Sequence, residues 1–270
     1  MYTTLATRSV SYPSLEHLLD RFNPIYLAEL NGDAALLNRI DTKYLFPLSA
    51  LHTVLEQIQD HYQILDINDV RLNQYHTVYY DEPGFTFYNQ HHNEHSHRYK
   101  VRERQYVDSN IAFFEVKTKT NQKRTIKTRL PLDTDPTPQP DDIADFIENY
   151  VPTQSDWLEA KLWNDYLRLT LVDQQMPERV TIDIALSFGH EHNRVELPGF
   201  VIAEVKQAHF TQHSYFIQQM RRLGIRSSSF SKYCAGVYLL YDNVKTNNFK
   251  PVMREVQKLV ETENFHARVS

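Results

Sequence analysis

Residues 98–106, RYKVRERQY, carry a cation at every second position. Successive side chains of a β-strand point to opposite faces, so Arg98, Lys100, Arg102 and Arg104 would all share one face. Like charges about 6.8 Å apart along a strand repel each other by roughly 2.4 kcal/mol at an effective dielectric constant of about 20. The chain must therefore fold so that this face meets open solvent or a polyanion.

The same one-sided charge recurs in at least five further predicted strands. Their charged faces carry Arg39, Asp41 and Lys43; Glu115, Lys117 and Lys119; Lys123, Lys127 and Arg129; Arg179, Thr181 and Asp183; and Glu204 and Lys206. A solvated outer face is the ordinary explanation for any single strand of this kind. Across the whole set, acids are too scarce to offset the repulsion, so we expect these faces to converge on a polyanion.

Strands predicted in blocks, with helices between the blocks, indicate an α+β fold with a largely antiparallel sheet. Apolar spacing predicts two helical pieces within 14–30 and helices at 47–62, 143–150, 155–168, 214–225 and 251–261. Residues 85–91, FTFYNQH, are predicted as a strand. Because at least six strands pair an apolar face with a charged one, we expect a closed or nearly closed barrel with a wet, cationic interior.

The distribution of charge narrows the class of partner. The chain has a net charge of -5, but residues 98–130 hold ten Lys or Arg against three Asp or Glu. A basic region this concentrated predicts a defined anion site. We expect no nucleic acid as partner, because the aromatic residues fall mostly on the apolar strand faces.

The sequence also predicts the compartment. No apolar run reaches the ~18 residues that a membrane span needs, so no membrane span is expected. The single cysteine, Cys234, has no partner for an internal disulfide, which fits a reducing compartment. We therefore expect a cytoplasmic protein.

Lysine and arginine on one face suit phosphate, because arginine offers a planar fork of donors and lysine a compact point charge. The few acids on these faces, Glu204 above all, would be metal ligands or ion-pair partners. Mg²⁺ and Mn²⁺ prefer carboxylates together with phosphate oxygens. The predicted ligand is therefore a metal-bound triphosphate chain.

Seven stretches occur in the order of a known family: RIDTKYLF, TVYYDEPGFTFY, VRERQY, FFEVKTKTNQKRTIK, RVTIDIAL, VIAEVKQ and SSSFSKYCAG. From about residue 20 to 242 the chain resembles the VTC domain, a polyphosphate polymerase domain among the CYTH-like triphosphate tunnel metalloenzymes, in its stand-alone bacterial form. The resemblance implies an eight-stranded antiparallel β-tunnel, closed as a barrel and surrounded by helices. We expect a single domain over residues 1–270, with a C-terminal helix from about 250 to 263.

By matching motif positions, the resemblance implies an ATP-dependent polyphosphate polymerase that binds ATP and polyphosphate or triphosphate and uses Mn²⁺ or Mg²⁺. It implies phosphate binding by Lys43, Arg102, Arg104, Lys117, Lys123, Lys127, Arg179, Lys206 and Lys232. It implies that Glu204 ligates the metal. The catalytic residues, which would stabilise the transferring phosphoryl group, are expected to be Arg102, Arg104, Lys117 and Lys232.

Two other functions stay open. One is a tunnel phosphatase that hydrolyses tripolyphosphate, polyphosphate or nucleoside triphosphates, and the other is a non-catalytic sensor that only binds polyanions. The tunnel hydrolases of this superfamily begin with an E-x-E-x-K motif, where this chain has Arg39, Ile40, Asp41, Thr42 and Lys43. The missing carboxylate weakens the hydrolase hypothesis, because activating a water calls for a base or acidic metal ligands.

Two further features are expected to be structural. His91, His92, His95 and His97 lie beside Glu94 without helical spacing, and a solvated loop is the preferred interpretation over a zinc site. The stripe of Trp157, Leu158, Leu162 and Tyr166 is predicted to pack in the core, and Cys234 to be a buried small residue rather than a nucleophile.

Overall fold

The computed structural model describes residues 12–33, 40–122, 124–132 and 137–269. Two residues named above, Arg39 and Lys123, lie outside these ranges. The described part forms one large, mostly antiparallel sheet with helices packed on both faces. The expected α+β class is therefore confirmed.

Eight α-helices lie within the described residues, and none of these eight is long and apolar enough to cross a membrane. Short 3₁₀ turns also occur at Val107–Ser109 and Ser155–Trp157. The helices are α1 (Pro13–Leu19), α2 (Leu27–Asp33), α3 (Leu48–Ile58), α4 (Thr86–His92), α5 (Pro140–Tyr150), α6 (Tyr215–Arg222), α7 (Lys232–Leu240) and α8 (Lys250–Val269).

The same part of the chain contains twelve strands, and their pairings are antiparallel except that of the first with the third. The strands are β1 (Asn23–Tyr26), β2 (Ile40–Pro47), β3 (Tyr62–Asp66), β4 (Asn73–Asp81), β5 (Arg98–Tyr106), β6 (Ile111–Lys119), β7 (Thr125–Pro131), β8 (Glu159–Asp173), β9 (Glu178–His190), β10 (Asn193–Leu197), β11 (Phe200–Gln207) and β12 (Ser227–Ser228).

The sheet follows the order β12-β2-β11-β9-β8-β4-β5-β6-β7, with β1, β3 and β10 paired at its side. The expected closed barrel of eight strands is therefore wrong on both points. The two-residue strand β12 pairs with β2 at Lys43 and Tyr44 and occupies the edge that β7 would need for closure. Within the described residues β7 pairs with β6 alone, so the sheet stays open between β7 and β12.

Helix α4 forms where a strand is predicted over residues 85–91. Phe85 has a left-handed backbone (φ 58°), which breaks the extended conformation before the helix. The Asp81 carboxylate then accepts hydrogen bonds from the N–H groups of Phe87 (2.9 Å) and Tyr88 (2.8 Å). A carboxylate at the end of β4 thus satisfies N–H groups at the start of the helix, which the alternating aromatic pattern does not reveal.

Strand β8 forms where a helix is predicted over residues 155–168. It lies between β4 and β9, and its pairing with β9 shifts between Asp165 and Leu167. Both faces of this strand are covered, so its apolar residues do not alternate simply and imitate helical spacing. Leu162 and Tyr166 are buried as expected, but Trp157 lies before the strand and is 57% exposed.

Apolar clusters lie on both faces of the sheet, and the cluster that contains Tyr79 and Tyr233 positions α7 on the inner face. Tyr233 of α7 stacks on Tyr79 of β4 with ring centroids 5.2 Å apart. Gly236 approaches the sheet so closely that a Cβ would lie 2.8 Å from Leu162 and 2.9 Å from Phe188. Helix α7 therefore fills part of the space enclosed by the curved sheet, and the charged strand faces surround the rest.

Candidate functional site

A cavity of about 1280 Å³ lies between β2, β5, β6, β7, β11 and the first turns of α7 and α8. Its wall contains eight Lys or Arg residues but three Asp or Glu residues, Asp41, Glu94 and Glu204. The cations are Lys43, Arg98, Lys100, Lys117, Lys119, Arg124, Lys127 and Arg129. The cationic strand faces therefore do converge on one cavity.

The strand register brings three lysines into one row across this wall. Lys100 of β5 lies opposite Lys117 of β6, and Lys117 lies opposite Lys127 of β7. Lys100 also donates a hydrogen bond to the Ser231 hydroxyl (2.9 Å), which in turn caps α7 by accepting from the Cys234 N–H. The first turn of α7 is thus tied directly to the cationic row.

Glu115, in the middle of β6, binds cations from both neighbouring strands. Arg102 donates to Oε2 from Nε (2.7 Å) and Nη2 (2.6 Å), and Lys127 binds Oε1. Burial alone would raise the pKa of Glu115, but Arg102, Arg104 and Lys127 outweigh it and hold that pKa well below its ordinary value. An ionised carboxylate with a side chain only 1% exposed therefore ties three strands together.

Glu204, on β11, is a second carboxylate shared by two cations. Lys43 of β2 binds its Oε1, and Lys206 lies 3.0 Å from its Oε2 while donating to the Thr181 hydroxyl (2.7 Å). Burial acts to raise the pKa of Glu204, but Lys206, Lys43 and Lys117 hold it well below its ordinary value. Unlike Glu115, this carboxylate lines the cavity.

Asp183, on β9, is the third shared carboxylate. Arg168 of β8 grips it as a fork, with Nε 2.5 Å from Oδ1 and Nη2 2.7 Å from Oδ2. Lys232 of α7 also binds Oδ2, and its Nζ lies 4.2 Å from the centroid of the Tyr166 ring. These contacts anchor α7 to the charged face of the sheet.

Four interior lysines give up their protons more easily than solvated lysines. Burial is the main cause, and it lowers the pKa of Lys100, Lys127 and Lys206 to about 8. Burial and the charge of Arg102 lower the pKa of Lys117 to about 7. Among the described residues, no side chain forms a hydrogen bond or an ion pair with the Lys117 ammonium. The wall is thus short of the negative charge that a bound polyanion would supply.

Seven of the ten residues expected at the site either line the cavity or bind one of the shared carboxylates. Four of them line the cavity: Lys43, Lys117, Lys127 and Glu204. Three more are bonded to one of the shared carboxylates: Arg102, Lys206 and Lys232.

The other three expected residues are placed differently. Arg104 is only 7% exposed, and its Nε donates to the Thr77 hydroxyl (3.3 Å) inside the protein. Arg179 of β9 lies opposite Lys206 of β11 in the strand register. Lys123 lies outside the described residues.

Sequence reasoning missed Arg168, and it left open whether acids on the charged faces, such as Glu115 and Asp183, would bind a metal or pair with cations. Arg168 lies in the segment predicted as a helix, so its place on a charged strand face could not be seen. Glu115 and Asp183 were visible as acids on charged faces. A rule that pairs each such acid with cations of neighbouring strands would have found both, given the strand order.

The histidine segment is only partly a loop. His91 and His92 form the last turn of α4, while His95 and His97 are exposed after it. His91 Nε2 lies 3.0 Å from the Tyr99 carbonyl oxygen, and burial lowers the pKa of His91 to about 2. No group of three or more His, Cys, Asp or Glu side chains converges in the ranges that the structure describes.

Comparison with protein families decides where this fold belongs. The family model described as the VTC domain matches residues 38–241, which in chain order contain every strand from β2 to β12 and also α7. The chain belongs to the VTC domain family. Membership in this family supports a function that involves phosphoryl groups, carried out by a tunnel-like fold. No curated protein matches the chain.

Solved structures similar to this VTC domain include putative adenylate cyclases. The protein from Bacillus halodurans aligns with a TM-score of 0.50 and 11% identity, over 76% of this chain and 100% of that one. The protein from Vibrio parahaemolyticus gives 0.43 and 13%, over 72% and 95% of the two chains. A putative adenylyl cyclase from Hippeastrum, described as having a dominant triphosphatase activity, gives 0.47 and 10%, over 76% and 98%. The Bacillus likeness supports the fold of the VTC domain alone.

Proposed function

We propose that this VTC domain is an ATP-dependent polyphosphate polymerase that works inside the cationic cavity. The observation that carries the proposal is the cavity wall, where eight Lys or Arg residues face three acids. Lysine and arginine are the side chains that bind phosphate best. A chain of phosphates carries negative charge along its whole length and would offset the repulsion between strands β5, β6 and β7.

In the proposed reaction, a terminal oxygen of polyphosphate attacks the γ-phosphorus of ATP. The new P–O bond lengthens the chain by one phosphate. The bond from the γ-phosphorus to the β,γ-bridging oxygen breaks, and ADP leaves with that electron pair. The attacking oxygen is already ionised near neutral pH, so the protein has to supply positioning and charge neutralisation rather than a strong base.

The positions of the cations suggest how the roles are divided. Lys43, Lys117 and Lys127 line the cavity and would contact phosphate oxygens directly. Lys117 suits this role best, because none of the described acids is bonded to its ammonium. Arg102 and Lys232 would stabilise the charge of the transferring phosphoryl group from behind this wall.

A divalent cation fits the acids of the cavity only together with phosphate. Glu204 lines the cavity, but both of its oxygens are bonded to lysines, Lys43 and Lys206. Mg²⁺ is commonly held by one or two carboxylates plus substrate phosphates and water. Glu204 would hold Mn²⁺ or Mg²⁺ together with phosphate oxygens, and the cation would neutralise charge on the triphosphate.

Hydrolysis of tripolyphosphate or nucleotides is the second candidate, because Asp41 and Glu204 both line the cavity. Activating a water requires a base or acidic metal ligands. Glu204 is a weak base whether it is bonded to its two lysines, as in the unbound protein, or to a metal ion. Either pairing favours transfer to a phosphate chain over transfer to water.

The products formed from ATP test the proposal. The full chain is incubated with ATP, Mn²⁺ and a short polyphosphate primer, and the products are separated on a gel. We expect a ladder of longer polyphosphates, lost in Lys117→Met and kept in Lys258→Met, which removes an exposed lysine from α8. Orthophosphate without a ladder would contradict the polymerase and support the hydrolase. Binding of polyphosphate with neither product would support the sensor.

A further inference from the structure

The buried carboxylate of Glu115 stands apart from the acids that face the cavity. Its side chain is 1% exposed, against 19% for Glu204, so it has little access to a ligand. It nevertheless contacts two residues of the proposed site, Arg102 on one neighbouring strand and Lys127 on the other. Its position suits a residue that acts through these neighbours.

Positive charge lies near Lys127 both on β6, the strand that pairs with its own, and on β5, the next strand of the sheet. Lys117 of β6 lies opposite it, Arg102 and Arg104 of β5 repel its charge, and Glu115 is the acid bonded to its ammonium. Burial lowers the pKa of Lys127 to about 8, and the negative charge of Glu115 acts against that shift. Loss of the carboxylate would therefore leave Lys127 less charged near neutral pH.

Arg102 depends on the same carboxylate for its orientation. Two of its nitrogens donate to one Glu115 oxygen, at 2.7 and 2.6 Å, while Lys127 uses the other oxygen. A guanidinium that donates two hydrogen bonds to one carboxylate has a fixed plane, and its remaining N–H groups stay available to another acceptor. The carboxylate thus sets the geometry of one cation and the charge of another.

We infer that Glu115 is a positioning residue that orients Arg102 and keeps Lys127 charged for the binding of phosphate chains. The inference rests on the proposed function, since it specifies how that site binds its polyanion. Glu115 does not touch phosphate in this arrangement. Its effect is therefore expected in how phosphate binding depends on pH, which a residue that merely supported the fold would not change.

Glu115→Gln tests the inference, with inorganic tripolyphosphate as the probe and calorimetric titration of the full chain from pH 6 to 8.5. A fall of one unit in the pKa of Lys127 reduces its charged fraction about tenfold at high pH. With a pKa of about 8 in the wild type, we expect the ratio of the variant's dissociation constant to that of the wild type to grow about sevenfold from pH 6 to pH 8.5. Glu103→Gln removes the same charge from the opposite face of β5 and should leave the ratio flat.

Lys127→Arg supplies the decisive control. Its guanidinium stays charged over this whole range, so Glu115→Gln with Lys127→Arg should abolish the growth of the ratio. If Glu115→Gln fails to fold, Lys127→Arg alone still decides: it should lose affinity less steeply than the wild type as pH rises. A wild-type pH profile in Lys127→Arg, or in a folded Glu115→Gln, overturns the inference while leaving the proposed function intact. A wild type that does not bind tripolyphosphate overturns both.

Discussion

Residues Glu115, Asp183 and Glu204 share one arrangement, in which a single carboxylate binds two cations. Their side chains differ in exposure, at 1%, 4% and 19%. A buried carboxylate that loses its charge leaves its cations unpaired in a poorly hydrated site, whereas a carboxylate at the cavity can exchange partners with a ligand. At the scale of single residues, Glu115 and Asp183 therefore hold their cations in place inside the protein, and Glu204 is the acid that a ligand in the cavity could reach.

Asp183→Asn is expected to destabilise the protein strongly. It leaves Arg168 and Lys232 without the carboxylate that binds both, and breaking such a buried pair costs about 3–5 kcal/mol. The free energy of unfolding from urea denaturation measures the loss. The control is Glu196→Gln, whose carboxylate is 63% exposed and pairs with Arg194 on the surface, and it should cost less than about 1 kcal/mol. Equal losses in the two variants would contradict the organising role of Asp183.

At the scale of elements, the cavity is shaped by strand β12 at one edge of the sheet and by helix α7 on its inner face. Strand β12 covers β2, and α7 packs on the inner face through Tyr79 and Tyr233. The cavity is therefore bounded by strands on one side and by helix termini on the other. Lys100 and Ser231 join the two parts, which makes the first turn of α7 part of the cavity wall.

The sequence predicts the strands with one apolar and one charged face well, and misses the elements that lack this contrast. The segments of β2, β5, β6, β7, β9 and β11 lie where alternation places them. Strand β8 is buried on both faces, and α4 depends on the Asp81 carboxylate for its first N–H groups, so neither leaves a local signal. The open edge of the sheet depends on the two-residue strand β12, whose pairing no periodicity can predict.

The residues of the candidate site were likewise predictable only where their strands have one apolar and one charged face. Lys43, Lys117, Lys127 and Glu204 were identifiable because motif and alternation agree at each of them, and all four line the cavity. Arg168 was missed because its strand was taken for a helix. Contacts such as that of Arg102 with Glu115 depend on which strands are neighbours, which the sequence alone does not state.

At the scale of the whole molecule, the fold holds a surplus of cations away from water when no ligand is bound. The pKa of Lys100, Lys127 and Lys206 falls to about 8 and that of Lys117 to about 7, against 10.5 for a solvated lysine. The folded protein therefore releases these protons at a lower pH than the unfolded chain. Near neutral pH, the charge that these buried lysines still carry therefore lowers the stability of the unbound protein.

Stability without ligand is accordingly expected to rise with pH between about 7 and 9. In that range the unfolded chain holds more protons, and each proton of difference raises the free energy of unfolding by about 1.4 kcal/mol per pH unit. Urea denaturation at pH 7, 8 and 9 measures this slope. Saturating tripolyphosphate should reduce it, because bound phosphate keeps the lysines charged. Stability that stays flat or falls over this range without ligand would contradict the account.

The central claim is that the interior of the sheet holds a chain of phosphates. A crystal structure of the protein with tripolyphosphate tests it most directly. We predict phosphate oxygens within about 3 Å of the ammonium groups of Lys43, Lys117 and Lys127, inside the cavity. Tripolyphosphate bound only on the outer surface, with the cavity empty at saturating ligand, would contradict the account.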